Sequence, residues 1–198
     1  IIALTATADK ATREDIANQL NIPNATQHIA SFDRKNLELE VRPANDRVKQ
    51  IISFIDEQPN ESGIIYCLSR KATEAVADKL KAASINAKAY HAGISHDKRS
   101  KIQEDFINDK CQVICATIAF GMGIDKSNVR YVIHYNLPKN IEGYYQEIGR
   151  AGRDGLPSET RLYYNYGDLK ILTQFAGEGA QAEINLQKLS RMHQYAEA

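Results

Sequence analysis

The sequence predicts an α/β protein with an open, mostly parallel β-sheet, helices on both faces of the sheet, and a short helical segment after it. Three observations predict this class. Short apolar runs alternate with amphipathic stretches between residues 37 and 135. The later runs are continuously apolar, as in strands buried on both faces, and no strand-like run separates the last two helical stretches. In such a sheet, ligands bind beyond the carboxyl ends of the strands.

The elements follow one another in a regular order. The first helix is predicted over residues 11–20, because Ile16 and Leu20 stand at helical spacing and a proline follows its end. Ser95 is a candidate N-cap for a later helix. The predicted strands cover residues 37–41, 63–68, 87–90, 112–116 and 130–135, and the remaining predicted helices cover residues 47–57, 71–83, 97–108, 168–175 and 182–195.

Composition limits the possible functions. The chain has 198 residues, 43% of them hydrophobic, which is enough for a buried core. Lys+Arg and Asp+Glu number 25 each, so contact with nucleic acid requires a local basic patch. Cys67, Cys111 and Cys115 lie in or beside apolar runs without Cys-x-x-Cys spacing, which indicates a reducing environment and predicts no metal site. No run of about 18 apolar residues occurs, so no membrane span is predicted.

Two arginines stand three residues apart between glycines in Tyr144-Tyr145-Gln146-Glu147-Ile148-Gly149-Arg150-Ala151-Gly152-Arg153-Asp154-Gly155. A guanidinium is always charged and its donors match phosphate oxygens, so Arg150 and Arg153 suit the charge that develops during phosphoryl transfer. Asp154-Gly155 predicts a tight turn that ends the segment. A solvated basic turn is the alternative, and this motif alone leaves both interpretations open.

The segment 117–126 continues directly from the apolar run 113–116, so its polar groups lie at the exit of a strand. Gly121 and Gly123 permit a tight loop whose amides can face a phosphate. Asp125 could accept from a ribose hydroxyl or hold an arginine in place. A plain glycine-rich turn is the alternative.

Two other strand exits also carry polar residues. Ser69 ends one predicted strand, and Arg70 and Lys71 begin the helix after it, which gives either an anion site at a helix N-terminus or a solvated cap. His91 follows the next strand and could contact a phosphate or a base, or satisfy a turn carbonyl. The other histidines lack metal-ligand spacing and are interpreted as surface or structural residues: His28, His96, His134 and His193.

In this order, the segments resemble the second RecA-like lobe of a superfamily-two helicase, specifically of the RecQ family of DNA helicases. Leu4-Thr5-Ala6-Thr7-Ala8 resembles the end of the first lobe, and Ser31-Phe32-Asp33-Arg34-Lys35-Asn36-Leu37 resembles the entry to the second, with Lys35 in place of an expected proline. The resemblance to RecQ rests on Ala119-Phe120-Gly121-Met122-Gly123-Ile124-Asp125-Lys126 together with the arginine segment.

The resemblance implies a role for each candidate residue. Arg150 and Arg153 would reach the triphosphate across the cleft between the lobes, with Arg153 as the arginine finger. Gln146 would couple the sites, and Gly123 and Asp125 would lie beside the nucleotide. The residues implied to hold the phosphates of one DNA strand are Ser69, Arg70, His91 and Thr117.

The resemblance also implies an ATP-dependent 3′-5′ helicase that acts on single-stranded and partly duplex DNA in recombination and repair, in the cytoplasm or nucleoid of a bacterium or the nucleus of a eukaryote. The family's ATP and Mg²⁺ loop belongs to a first lobe and does not occur in this sequence, so the isolated chain is expected not to hydrolyse ATP. Zinc is expected in the full-length protein but not in this chain, which has no cysteine after Cys115.

The implied organisation has three parts. Residues 1–30 correspond to the end of the first lobe and a linker helix, residues 31–165 to the second lobe, and residues 166–198 to the leading helices of a truncated zinc-binding subdomain. Two alternatives remain. One is a different superfamily-two motor, such as an RNA helicase or a DNA translocase, and the other is a non-catalytic nucleic-acid-binding module, which the presence of Arg150 and Arg153 disfavours.

Overall fold

The computed structural model of the chain describes residues 1–5, 8, 10–29, 33–117, 120 and 124–198. The chain forms two compact units, Ile1–Lys35 and Asn36–Ala198. The first unit contains helix α1, Lys10–Gln19, and the Nη1 atom of Arg13 donates to the carbonyl oxygen of Ala8 at 2.8 Å. Within the described part of the chain, none of the helices has the length and apolar character needed to cross a membrane.

The second unit is built on one six-stranded sheet. Its strands are β1 (Leu37–Pro43), β2 (Ser62–Tyr66), β3 (Ala87–Tyr90), β4 (Val113–Ala116), β5 (Val129–His134) and β6 (Ser158–Tyr164). Its helices are α2 (Arg47–Asp56), α3 (Arg70–Ala82), α4 (His96–Ile107), α5 (Ile141–Ile148), α6 (Tyr166–Ala176) and α7 (Ala182–Glu197). The strand order is β1-β6-β5-β2-β4-β3 and every pairing is parallel, which confirms the predicted open α/β fold.

Helices cover both faces of the sheet. Successive side chains of a strand point to opposite faces, so one strand can supply apolar residues to the core on each face. In β2, Ile64 and Tyr66 belong to the core shared with α4 to α7, whereas Ile65 belongs to the core shared with α2 and α3. Leu172 of α6 and Met192 of α7 lie in the first of these cores. The two C-terminal helices are therefore part of the same compact unit as the sheet.

Every predicted helix and strand is present, with ends within two residues of the prediction. Two further elements, α5 and β6, were not predicted. Strand β6 buries the polar residues Ser158 and Thr160, which interrupts the apolar pattern of a buried strand, and α5 has Gly143 in its interior. Ser95 is the N-cap residue of α4, as predicted, although among the described residues its side chain accepts no hydrogen bond from a helix N–H.

The three cysteine thiols are free and buried. Burial raises the pKa of Cys67 to about 12 and that of Cys111 to about 11. Burial also raises the pKa of Cys115. Because the thiolate is the reactive form, all three side chains are unreactive near neutral pH. The described residues contain no group of three or more His, Cys, Asp or Glu side chains placed to hold a metal ion.

Candidate functional site

Three predicted contact residues follow three neighbouring strands at the same edge of the sheet. Ser69 lies beyond β2, Thr117 directly after β4, and His91 directly after β3. Neighbouring strands are separated by about 4.8 Å, and the strands are parallel, so these loops form a row at the carboxyl edge. Residues that are distant in the sequence are therefore brought together where ligands bind in such sheets.

The start of α3 presents a capped N-terminus beside an exposed cation. The Oγ atom of Ser69 accepts from the N–H of Ala72 at 3.1 Å, which leaves the hydroxyl hydrogen able to donate to another acceptor. Arg70 is exposed, and its Nη1 atom lies 3.3 Å from the position that a Cβ on Gly93 would occupy. Arg70 is thus next to the turn after β3, and a helix N-terminus with an exposed guanidinium suits an anion.

His91 is only 4% exposed, and both of its ring nitrogens are engaged within the chain. Its Nδ1 atom accepts from the N–H of Gly93 at 3.2 Å, and its Nε2 atom lies 3.0 Å from Oε1 of Glu74. Acceptance at Nδ1 places the proton on Nε2, which donates to Glu74. His91 therefore fixes the turn that lies against Arg70, and Glu74 is a partner that the sequence analysis did not identify.

The segment around Asp125 is held by buried neighbours on both sides. Ile124 is 7% exposed and Lys126 is 5% exposed, whereas Asp125 is exposed. The Nζ atom of Lys126 lies 2.6 Å from Oδ1 of Asp109. Two buried flanking residues thus keep the carboxylate of Asp125 at the surface. Gly123, the other predicted nucleotide contact in this loop, lies outside the described residues.

Helix α5 is fixed at both ends. Asn140 is its N-cap, and the side-chain oxygen accepts from a main-chain N–H of the first turn at 2.7 Å. In the last turn, Oε2 of Glu147 lies 2.7 Å from Nε2 of His134 at the end of β5. The His134 ring is also stacked on Tyr66, with the ring centroids 5.3 Å apart. His134 is thus a structural residue, as predicted, and it attaches α5 to the sheet.

A turn after α5 separates Arg150 from Arg153. Gly152 has a φ of +57°, and a Cβ there would lie 2.8 Å from Oγ of Ser158, so this glycine packs against its own chain. Arg153 is exposed, and its Nη1 atom donates to the carbonyl oxygen of Ile124 at 3.2 Å. The structure therefore brings Arg153 beside the residue that precedes Asp125.

A cavity of about 340 Å³ is lined by three of the candidate residues. Thr117, from the row of strand exits, lines it together with Gln146 and Arg150 of the arginine segment. Tyr66 also lines the cavity, and burial raises the pKa of its hydroxyl well above the usual value, while the charge of Arg150 acts in the opposite direction. Thr117, Gln146 and Arg150 thus face a common space, whereas the other described candidate residues, Ser69, Arg70, His91, Asp125 and Arg153, do not line it.

Residues 45–155 match the family described as helicase conserved C-terminal domain. The match covers more than half of the chain, and the described part of the candidate site lies within it. The fold and the matched segment together define the class of protein, which is a helicase motor domain.

Similarity to individual proteins shows which family of helicases the chain belongs to. The ATP-dependent DNA helicase RecQ of Haemophilus influenzae is 46% identical over 202 residues, which cover 100% of this chain and 32% of that protein. The RecQ-like DNA helicase BLM of Xenopus laevis is 51% identical over 173 residues, which cover 85% of this chain and 13% of that protein. The chain belongs to the RecQ family of helicases. It spans about a third of the length of the bacterial relative and a smaller share of BLM.

The fold is shared with solved helicase structures. The structure of Saccharomyces cerevisiae Dbp5 bound to RNA and ADP BeF3 matches with a TM-score of 0.67 and 20% sequence identity, covering 93% of this chain and 54% of that one. At this identity the likeness shows the fold alone, which is that of a RecA-like helicase lobe.

Proposed function

We propose that this chain is the second motor lobe of an ATP-dependent DNA helicase that moves 3′ to 5′ along one strand and unwinds duplex DNA in recombination and repair. The supporting observation is the cavity that Thr117 shares with Gln146 and Arg150. If Arg150 contacts the nucleotide and Thr117 contacts the strand, a change at one contact could reach the other through the cavity that they share. The direction of movement and the biological role rest on the family resemblance.

The residues present fit a bound nucleotide. Arg150 and Arg153 would hold the triphosphate, and the exposed carboxylate of Asp125 would contact the sugar. The family resemblance adds Gly123 as a nucleotide contact. Mg²⁺ would be held mainly by a first lobe. ATP, when bound, supplies the phosphoryl group that is transferred to water. Arg153 suits the role of arginine finger, because it is exposed while the carbonyl of Ile124 orients its guanidinium.

The row of strand exits would hold one DNA strand by its backbone. Ser69, Arg70 and Thr117 offer hydroxyl and guanidinium donors at this edge. His91 would contribute by fixing the turn against Arg70, since its ring nitrogens are engaged with Gly93 and Glu74. Contacts of this kind bind strongly at low salt and do not distinguish base sequences.

The proposed organisation follows from the same resemblance. Residues 1–30 would end the first lobe and link the lobes, residues 31–165 would form the second lobe, and residues 166–198 would begin a zinc-binding subdomain. The first lobe of the same protein would be the partner that completes the ATP site. The protein would act inside the cell. We therefore expect the isolated chain to hydrolyse no ATP above the buffer background, because the phosphate-binding loop is not in this sequence.

The test compares wild type with Arg153→Ala in a two-lobed helicase that contains this chain. A finger arginine is worth roughly 10³-fold or more in rate, so DNA-stimulated ATP hydrolysis should collapse while single-strand affinity at fixed salt is retained. Arg191→Ala, on the exposed side of α7, is the matched control and should leave both unchanged. Surviving hydrolysis with weakened DNA binding would make Arg153 a strand contact instead. Unwinding assays on DNA and RNA duplexes with 3′ or 5′ tails distinguish a 3′-5′ DNA helicase from an RNA helicase or a DNA translocase that does not unwind.

A further inference from the structure

A buried carboxylate in the first turn of α6 lies outside the site described above. Asp168 is 5% exposed, and both of its side-chain oxygens accept hydrogen bonds. The Nη1 atom of Arg47 donates to Oδ2 at 3.1 Å, and the Nδ2 atom of Asn136 donates to Oδ1 at 3.0 Å. The two donors come from the start of α2 and from the loop after β5, so one carboxylate joins three parts of the fold.

The connection continues from Asn136 to the exit of β2. The Oδ1 atom of Asn136 accepts from the main-chain N–H of Leu68 at 3.0 Å. Leu68 directly precedes Ser69, which caps α3. Because Leu68 provides a donor and Asp168 provides an acceptor, only one orientation of the Asn136 amide satisfies both.

Arg47 also contacts the loop that carries Asn136. Its Nη1 atom donates to the carbonyl oxygen of Tyr135 as well as to Asp168. The guanidinium carbon also lies 4.0 Å from the centroid of the Tyr135 ring. Arg47 therefore contacts both the residue that precedes Asn136 and the carboxylate that Asn136 binds.

We propose that Asp168 and Asn136 are positioning residues for the nucleic-acid contact of Ser69 and Arg70. Helix α6 holds the Asn136 amide, and this amide holds the peptide that leads into α3. The geometry of a contact residue depends on the hydrogen bonds of the residues that support it, so loss of this link lets the loop move away from the phosphate backbone. The inference rests on the proposed function, because it presupposes that Ser69 and Arg70 contact DNA.

The test exchanges the side chains of Asn136 and Asp168 in a two-lobed helicase that contains this chain. Asn136→Asp alone places two carboxylates against each other and should weaken binding of a fluorescent oligodeoxythymidylate about tenfold at fixed salt. The double variant Asn136→Asp, Asp168→Asn reverses donor and acceptor, so the new carboxylate accepts from Leu68 and from the new amide at position 168. Affinity should return to within about threefold of wild type, a coupling that a double-mutant cycle measures.

Two further variants separate the possible results. Asp105→Asn is the control for loss of a buried carboxylate. The Asp105 side chain is 10% exposed and that of Asp168 is 7% exposed. Among the described residues, Asp105 binds Lys88 and Lys101 and does not contact the strand-exit loop. Asp105→Asn should leave DNA affinity unchanged even where thermal stability falls. If Arg70→Ala leaves DNA affinity unchanged, the proposed DNA contact fails. If Arg70→Ala weakens binding but Asn136→Asp lowers only stability, or the exchange restores nothing, the positioning role is overturned.

Discussion

The ammonium group of Lys126 lies 2.6 Å from Oδ1 of Asp109, and this ion pair has one buried and one exposed member. The side chain of Lys126 is 2% exposed and that of Asp109 is 64% exposed. The Nζ atom also lies 5.3 Å from the centroid of the Phe106 ring. Because Lys126 directly follows Asp125, the pair fixes the segment that carries a candidate nucleotide contact.

The asymmetry of this pair predicts unequal effects of removing its two members. Asp109→Asn leaves a buried ammonium without its charge partner, whereas Lys126→Met fills the same space without a charge. We expect Asp109→Asn to lower the free energy of unfolding by about 1–2 kcal/mol more than Lys126→Met does, after allowance for the exposure of the carboxylate. Urea denaturation of both variants measures the difference, and the opposite ranking would contradict the expectation.

Two glycines after α5 provide a matched comparison. Gly152 has a φ of +57°, and an added Cβ would lie 2.8 Å from Oγ of Ser158 and 2.9 Å from the carbonyl oxygen of Leu156. Gly155 has a φ of +83° with nothing within 4 Å, so its substitution costs backbone strain alone. We expect Gly155→Ala to destabilise by about 1 kcal/mol and Gly152→Ala by roughly 2–4 kcal/mol. If urea denaturation shows the same loss of unfolding free energy for both variants, the close contacts at Gly152 make no steric contribution.

The ion pairs of Asp105 predict how stability depends on pH. Hydrogen bonding to Lys88 lowers the pKa of the Asp105 carboxyl below its ordinary value. The folded state thus holds this proton less tightly than the unfolded state, so the pair stabilises the fold above the unfolded pKa of about 4 and ceases to do so as pH falls through the folded pKa.

Urea denaturation between pH 3 and 6 should therefore show that the stability difference between wild type and Asp105→Asn is largest at pH 6 and shrinks on acidification. A pH-independent difference for Asp105→Asn would show that its loss acts through packing.

The salt dependence of DNA binding tests Arg70. Each cation that neutralises a phosphate of a single strand contributes about 0.7 to the slope of log affinity against log salt. Arg70→Ala should reduce the slope by about this amount, equally for oligonucleotides of different sequence, because a backbone contact does not read bases. Arg191→Ala serves as the control with an unchanged slope. An unaltered slope for Arg70→Ala would remove this residue from the strand contact.

The periodic elements were predictable because their patterns are local. The apolar run in β4 and the amphipathic spacing in α3 each indicate an element without knowledge of the rest of the chain. Strand β6 was missed for a tertiary reason: Ser158 and Thr160 are polar, yet they are buried because β6 lies between β1 and β5. The hydroxyl of Thr160 donates to the carbonyl oxygen of Glu38, a partner that is remote in the sequence.

The candidate site also has some features that are visible in the sequence and others that depend on the tertiary structure. The guanidinium pair of Arg150 and Arg153 and the polar residues at strand ends are visible in the sequence, since chemistry and spacing are local properties. The engagement of His91 with Glu74 was not visible, because each hydrogen bond depends on where α3 lies relative to β3. From the sequence, His91 could contact a ligand or satisfy a turn carbonyl, whereas in the fold its ring accepts a hydrogen bond from the turn N–H of Gly93.

The sequence by itself determined the fold class, the helicase family resemblance and the chemical groups available at the strand exits. Only the tertiary structure decided which of these groups meet. It placed Arg153 against Ile124, joined Asp168 to Leu68 through Asn136, and opened a cavity between Thr117 and Arg150. The reason is physical: a hydrogen bond requires its two atoms within about 3 Å, and for residues far apart in the chain that distance is set by sheet order and helix packing.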